Sequence, residues 1–223
     1  TMTIQKHDFI EVSYTAKTPE GLIFDTTDQK IAKEHGIDRP NKKYGPLTLC
    51  VGEYQVIQGL DESFIGRKIP DEYEIVVPAE KAFGKKRADK IRLVPLRKFK
   101  EQGMNPQPGM QVYIDNQMAV VKTVSGGRAF VDFNHPLASK DIMYSVKIEK
   151  KVEDTATQLS SLIELQFGSV AKTKIANDKA TIEYPQEVPA EYAKILKTQI
   201  LKIIPALKDI DFTVSRKEAP KKA

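Results

Sequence analysis

The sequence predicts an α+β fold, and three observations carry that prediction. Apolar and polar residues alternate with period two at residues 9–15, 72–77 and 142–148, the pattern of strands with one buried face. Helical spacing is confined to short stretches in the first two-thirds of the chain and to two longer ones near its end, residues 155–167 and 189–204. Turn residues punctuate the whole length: Pro19-Glu20-Gly21, Asp115-Asn116, Ser125-Gly126-Gly127 and Asn177-Asp178. The 223 residues allow one to three domains, and an apolar fraction of 40% is enough for at least one core.

Taken in order, residues 9–15 (FIEVSYT) and 22–25 form a hairpin across the Pro-Glu-Gly turn. Residues 28–35 are polar with short helical character and stop at Gly36; 39–45 is a loop; 47–51 (LTLCV) is a strand. Residues 58–65 (QGLDESFI) are one short helix ended by Gly66, and 72–77 is a strand closed by Pro78. A strand at 91–96 then precedes a small meander, 111–114, 118–124 and 129–133. Residues 142–148 are a further strand, ending at the charged run 149–154. The last part predicts a helix at 155–167, a hairpin of 172–175 with 180–184, and a helix from Pro189 to a stop at Pro205. That helix carries Tyr192, Ile195, Leu196, Ile200 and Ile203, with Gln199 between them, on one apolar face. A strand at 210–214 follows, and the charged tail 216–223 is expected to be disordered.

Formal net charge is +5, and it is concentrated: residues 86–128 hold nine Lys or Arg against Asp89, Glu101 and Asp115. Such a segment is either a contact surface or a solvated face. It lacks the interleaved aromatics of a stacking platform, so nucleic acid is not an expected partner. The single Cys50 cannot form an internal disulfide and sits in an apolar strand, which predicts a buried, inert thiol and a reducing, cytoplasmic setting. Neither a signal peptide nor a membrane helix is expected, so no membrane partner is. His7, His35 and His135 show no metal-ligand spacing, and phosphate-binding glycine loops and a GxSxG elbow are missing. The expectation is no metal and no cofactor.

Two stretches carry a more specific signal. Residues 14–26 read YTAKTPEGLIFDT, and residues 46–84 read PLTLCVGEYQVIQGLDESFIGRKIPDEYEIVVPAEKAFG. With DFNHPLA at 132–138 and the strand at 142–148, they resemble the FKBP family of peptidyl-prolyl isomerases, motif by motif and in order. In the family the AFG stretch runs directly to the closing segment; here roughly 45 residues intervene. That insertion resembles SlyD-like and archaeal long members. The resemblance implies an antiparallel sheet wrapped on a short helix (residues 1–85 with 131–152), an inserted small β domain (86–130) and a C-terminal α+β domain (153–223).

It also implies a proline pocket. Tyr14, Phe24, Asp25, Ile57, Phe83 and Tyr144 fall where the family has catalytic residues, the amide of Ile57 bonding the bound peptide. Leu47, Val56, Leu60, His135 and Leu137 fall where it binds substrate. Leu60 replaces a Trp floor, as in SlyD-like members, and Phe83 replaces a Tyr, so tight macrolide binding is not implied. Ser139 replaces a Gly, so the backbone of that turn is expected to differ. Each aromatic here has an ordinary alternative as sheet core, and Asp25 as a turn residue; the ordered motif set favours the pocket. The implied activity is X-Pro isomerisation in unfolded or partly folded proteins, with the insert and its Met104, Met110 and Met118 holding the chain; the alternatives are a packed insert with no binding role and a catalytically weak binding module. Implied partners are proline-containing polypeptides; a second copy of the chain is expected for a separate reason, since the roughly 60 residues from Glu153 to Val214 bury only a marginal core and pairing would cover the apolar face left on the 189–204 helix.

Overall fold

The longest alternating segment organises the first sheet. In the computed structural model, which describes residues 2–168 and 171–214, β1 (Phe9–Lys17) is the central strand. Its first half pairs on one edge with β3 (Leu47–Cys50), its last residues pair on that same edge with β2 (Ile23–Thr26), and its other edge pairs throughout with β9 (Ile142–Lys151). β4 (Asp71–Val77) completes the order β2-β1-β9-β4. All pairs to β1 are antiparallel, so the hairpin predicted from the Pro-Glu-Gly turn is present.

Alternation sorts the side chains. Val12, Ala16, Leu49, Val146 and Ile148 are each 2% exposed or less and form the apolar side. Helix α2 (Gln58–Phe64) adds Leu60 and Phe64, four residues apart on one helical face and 1% and 0% exposed. Helix α1 (Gln29–Glu34) is capped by Asp28, whose carboxylate accepts from the amides of Lys30 and Ile31.

Phe9 and its cross-strand partner Cys50 are 2% and 0% exposed, and they join a second cluster. Against them and Val152 pack Leu159, Leu162 and Ile163 of α4 (Thr155–Phe167), together with Ala180, Ile182, Ile200, Ile204, Leu207 and Ile210. The C-terminal elements are the hairpin β10 (Lys172–Ala176) with β11 (Lys179–Tyr184), then α5 (Ala190–Ile203) and β12 (Asp209–Val214). Asn177 and Asp178 turn the hairpin with φ of 50° and 62°, the left-handed pair a type I′ turn needs. β12 lies parallel to β11, as a crossover through α5 permits. The apolar face predicted for α5 is only partly buried: Leu196 and Ile200 turn inward, whereas Tyr192 and Ile195 stay 42% and 54% exposed. They sit one turn and a side step from the contact line, and helical spacing over so broad a stripe does not decide which edge is covered. The strand predicted to end at the charged run continues to Lys151, because a bulge takes up Glu149 and leaves Lys150 and Lys151 paired with Glu11 and Ile10.

The chain divides into two bodies, Thr1–Val76 with Met143–Ala223 and Val77–Ile142. The second holds a four-stranded antiparallel sheet, β5 (Ile91–Pro95), β8 (Arg128–Asp132), β7 (Gln117–Ser125) and β6 (Gln111–Ile114) in that spatial order. The predicted meander is its β6-β7-β8 part, with left-handed turns at Asp115-Asn116 and Gly126-Gly127. Leu96 belongs to no strand: it opens α3 (Leu96–Glu101), with Pro95 at the N-cap, and Phe99 of this helix is 1% exposed. The apolar IRLVPL run concealed that boundary, which Pro at the helix entrance marks. Met104 and Met110 pack on this body's core, so of the three methionines in the segment Met118, 41% exposed, is the one open to solvent. The tail 216–223 lies outside the described residues.

The cluster joining Phe9 and Cys50 to α4 makes the C-terminal elements part of the first body's stability. Ile163→Ala is expected to destabilise that body by about 2–5 kcal/mol, as large-to-small changes at fully buried sites do. Equilibrium urea unfolding measures it, and an unchanged midpoint would mean that α4 does not share the core.

Candidate active site

Cross-strand register brings three of the expected residues into one row. Ala16 of β1 lies opposite Asp25 of β2 on one side and Tyr144 of β9 on the other. Tyr14, two residues earlier on β1, shares that face. Its hydroxyl donates to Asp25 Oδ2 at 2.9 Å, and its ring meets the edge of Tyr144 with centroids 5.8 Å apart. A bulge between Ala16 and Lys17 makes Phe24 the extra residue of β2, freeing it from strict alternation beside Asp25. Phe24 is half-buried.

Asp25 is fully engaged. Its Oδ1 accepts from the Thr26 amide at 3.0 Å and from Lys42 Nζ at 2.5 Å, and Lys42 also donates to the Thr26 carbonyl. Lys42 comes from the segment read only as a loop, where nothing in the local sequence marks it. The fold returns that loop to β2 through the Gly45 amide, which donates to the Thr27 carbonyl at 2.8 Å. Burial pushes the phenol of Tyr14 well above its ordinary value of 10.0, and the Asp25 charge adds to the shift. Tyr144, 4% exposed, is raised for the same two reasons in the same order. Both rings are therefore neutral, and neither Tyr14 nor Asp25 is placed as a free acid or base.

The loop before α2 carries the next pair. Gly52 and Tyr54 have φ of 86° and 53°. Their amides donate to the carboxylate of Asp61, itself 1% exposed, at 3.0 Å. Gln55 Oε1 accepts from the Cys50 amide at 2.7 Å. These bonds shape residues 51–57, so that Val56 and Ile57 arrive half-buried at the helix entrance and Leu60 lies one turn further in. Ile57 is the N-cap, its carbonyl accepting from the amides of Leu60 and Asp61. Leu47 is half-buried at the start of β3. Asp61 was not singled out from sequence, although an acidic residue in the first turn of a short helix is a visible signal. Burial, with the charges of Glu53, Asp61 and Asp8, pushes the Cys50 thiol up to about 12, as expected of an inert cysteine.

Phe83, His135 and Leu137 belong to the second body. Phe83 and His135 stack with centroids 4.5 Å apart and planes 2° from parallel. The Leu137 amide donates to His135 Nδ1 at 3.1 Å, which leaves the proton of the neutral ring on Nε2. Desolvation, then Lys90, lowers the imidazole below its ordinary range. Ser139 adopts φ of 63°, so the turn expected to depart from a glycine conformation keeps it. The Ser139 amide donates to the Gly84 carbonyl at 2.8 Å and its hydroxyl accepts from the Lys86 amide at 2.7 Å, bonds that offset the cost of that backbone. Among the described residues, no cluster of His, Cys, Asp and Glu is arranged to hold a metal ion.

Comparison with known proteins gives a consistent result. A family model for FKBP-type peptidyl-prolyl cis-trans isomerases matches residues 1–108, and one described as FKBP26, IF domain, matches residues 92–137. A short-type peptidyl-prolyl cis-trans isomerase of Methanocaldococcus jannaschii is 30% identical over 145 residues, covering 65% of this chain and 92% of the relative. The SlyD isomerase of Helicobacter pylori is 30% identical over 154 residues, covering 65% and 76%. A 16 kDa FKBP-type isomerase of Escherichia coli is 24% identical, covering 66% and 92%.

The raised phenols give a direct check. A tyrosine held above 10.0 only in the folded state keeps its proton there while the unfolded chain ionises, so stability is constant below that pH and falls as pH rises through it. In an ultraviolet titration, Tyr14 and Tyr144 are expected among the late-ionising members of the eight tyrosines. Tyr14→Phe should remove one of them; an unchanged late phase would contradict the placement.

Proposed function

This chain belongs to the FKBP-type peptidyl-prolyl cis-trans isomerases and has their activity, and from that premise we propose that the prolyl ring of the substrate seats against Tyr14, Phe24, Tyr144, Val56 and Leu60. The observation that carries this reading is the Tyr14–Asp25–Tyr144 arrangement, in which a charged residue is wholly occupied in orienting a neutral aromatic wall.

The chemistry suits such a wall. Rotation about an imide meets a barrier of about 18–20 kcal/mol because resonance stabilises the planar form. No bond is made or broken, so neither nucleophile nor acid/base pair is required. An apolar surface disfavours the charge-separated planar imide more than the twisted one, which lowers the barrier. Asp25 acts as a positioning residue: it fixes the Tyr14 hydroxyl and, through Lys42, the adjoining loop. The Ile57 amide, at the entrance of α2, is proposed to bond a substrate carbonyl, and Leu47 to contact the flanking chain. Phe83, His135 and Leu137, on the second body, are proposed as contacts for a polypeptide substrate. Asp25→Ala should lower kcat/KM on a proline tetrapeptide by about tenfold to a hundredfold, the scale of losing substrate orientation. Unaltered turnover would remove Asp25 from the site.

A holding function for unfolded chains is proposed for the inserted region, residues 86–130, and the exposed face of its sheet supports it. Leu93 and Phe130 are cross-strand partners, 48% and 44% exposed, beside Ile91 at 41%. Tyr113 and Met118 are a second such pair, 65% and 41% exposed. Clustered apolar pairs open to solvent mark a contact surface. Leu93→Asp with Phe130→Asp should spare tetrapeptide turnover and slow the catalysed, proline-limited refolding of a whole protein. An equal effect on both substrates would count against a separate holding role.

A further inference from the structure

Helix α4 has one face in the core and another outside it, and the second face lines a cavity shared with Tyr14 and Leu47 of the proposed isomerase site. Leu159, Leu162 and Ile163 point into the shared cluster. Thr157, Ser160, Ser161, Glu164 and Leu165, at spacings of three and four, share another face. Between that face and the 42–48 loop lies a cavity of about 430 Å³, also bordered by Tyr14 and Leu47. A second cavity of about 340 Å³ lies between Leu162, Leu165 and Gln166 of α4, the loop residues Glu53, Tyr54 and Gln55, and Gln199, Ile200 and Ile203 of α5. Leu165 borders both.

We propose that α4 forms one wall of an extended substrate trench, in which the residues flanking the prolyl bond lie between this helix and the two loops that bracket β3. The proposal rests on the reading of Leu47, Val56 and Ile57 as substrate contacts. The first cavity meets the site directly, through Tyr14 and Leu47, and the second is bordered by Glu53, Tyr54 and Gln55, the residues that lead into Val56 and Ile57. Its occupant is an extended, proline-containing polypeptide, and the lining chemistry fits one. Leu165 and Tyr54, 40% and 60% exposed, are apolar anchors for side chains. Ser160 and Ser161 donate their hydroxyl protons to the carbonyls of Thr157 and Gln158, which leaves acceptor lone pairs for backbone N–H groups whatever the sequence. Across the first cavity Lys43 of the loop pairs with Glu164 of the helix at 2.5 Å. Both partners are exposed, and such pairs hold little, so an entering chain displaces the strap readily.

The test compares two substrates in the full-length protein: a proline tetrapeptide, and the same sequence extended by about six residues on each side, ~20 Å of extended chain per arm. Ser160→Trp fills the first cavity from an exposed position, and Leu165→Glu removes the anchor. Each is expected to lower kcat/KM on the long peptide by about fivefold to tenfold, the effect of losing one interface side chain, while tetrapeptide turnover is retained. Equal kcat/KM on the long peptide in wild type and both variants overturns the trench, as does a parallel loss on both peptides. If sedimentation shows that Leu165→Glu abolishes a dimer, the face belongs to a second copy and the proposal falls. Failure of the underlying site reading shows separately, as tetrapeptide turnover that survives Asp25→Ala.

Discussion

The carboxylate of Asp61 lies 1% exposed at the start of α2 and accepts the amides of Gly52 and Tyr54. A buried carboxylate without partners is costly, and a tyrosine at φ of 53° is strained, so each feature alone would be unfavourable. Together they are compatible, because the left-handed turn aims the amides of Gly52 and Tyr54 at the one acceptor that needs them. The loop from Val51 to Ile57 is thereby tied to the helix that follows it. Val56, Ile57 and Leu60 on one side and Tyr54 on the other take their positions from this clamp. Both the proposed proline site and the proposed trench beside α4 depend on it.

A second constraint acts through the sheet. β1 is long enough to serve two partners on one edge, β3 at its beginning and β2 at its end. The gap between those partners is where Tyr14 stands, flanked by the loop that brings Lys42 to Asp25. The same strand presents Phe9 to the opposite cluster, where α4 covers it. One strand therefore links the aromatic wall to the C-terminal elements. That linkage gives a physical reason for reading α4 together with the site rather than as an appended unit.

Much of this was legible beforehand because the signals were local. Helix α4 was read with its observed bounds, since Asp154 caps it and Gly168 ends it. The turns at Asp115-Asn116 and Asn177-Asp178 were visible because few residues tolerate left-handed backbone. The family motifs identified Tyr14, Asp25 and Tyr144 as a group. Less legible were α3, hidden in an apolar run until Pro95 set the helix entrance, and the exposure of Tyr192 and Ile195 on α5. Met104 and Met110 had suggested an adaptable surface, but a flexible thioether fills an irregular core equally well.

By itself the sequence determined most of the elements, the turns and the family, because each follows from residue type and short-range spacing. Only the tertiary structure decided that Lys42 compensates Asp25, that Asp61 clamps the loop before α2, and that Phe9 and Cys50 share a core with Ile163. Those pairs are separated by 7 to 154 positions along the chain, and contact between them is set by register and packing, which no local pattern encodes.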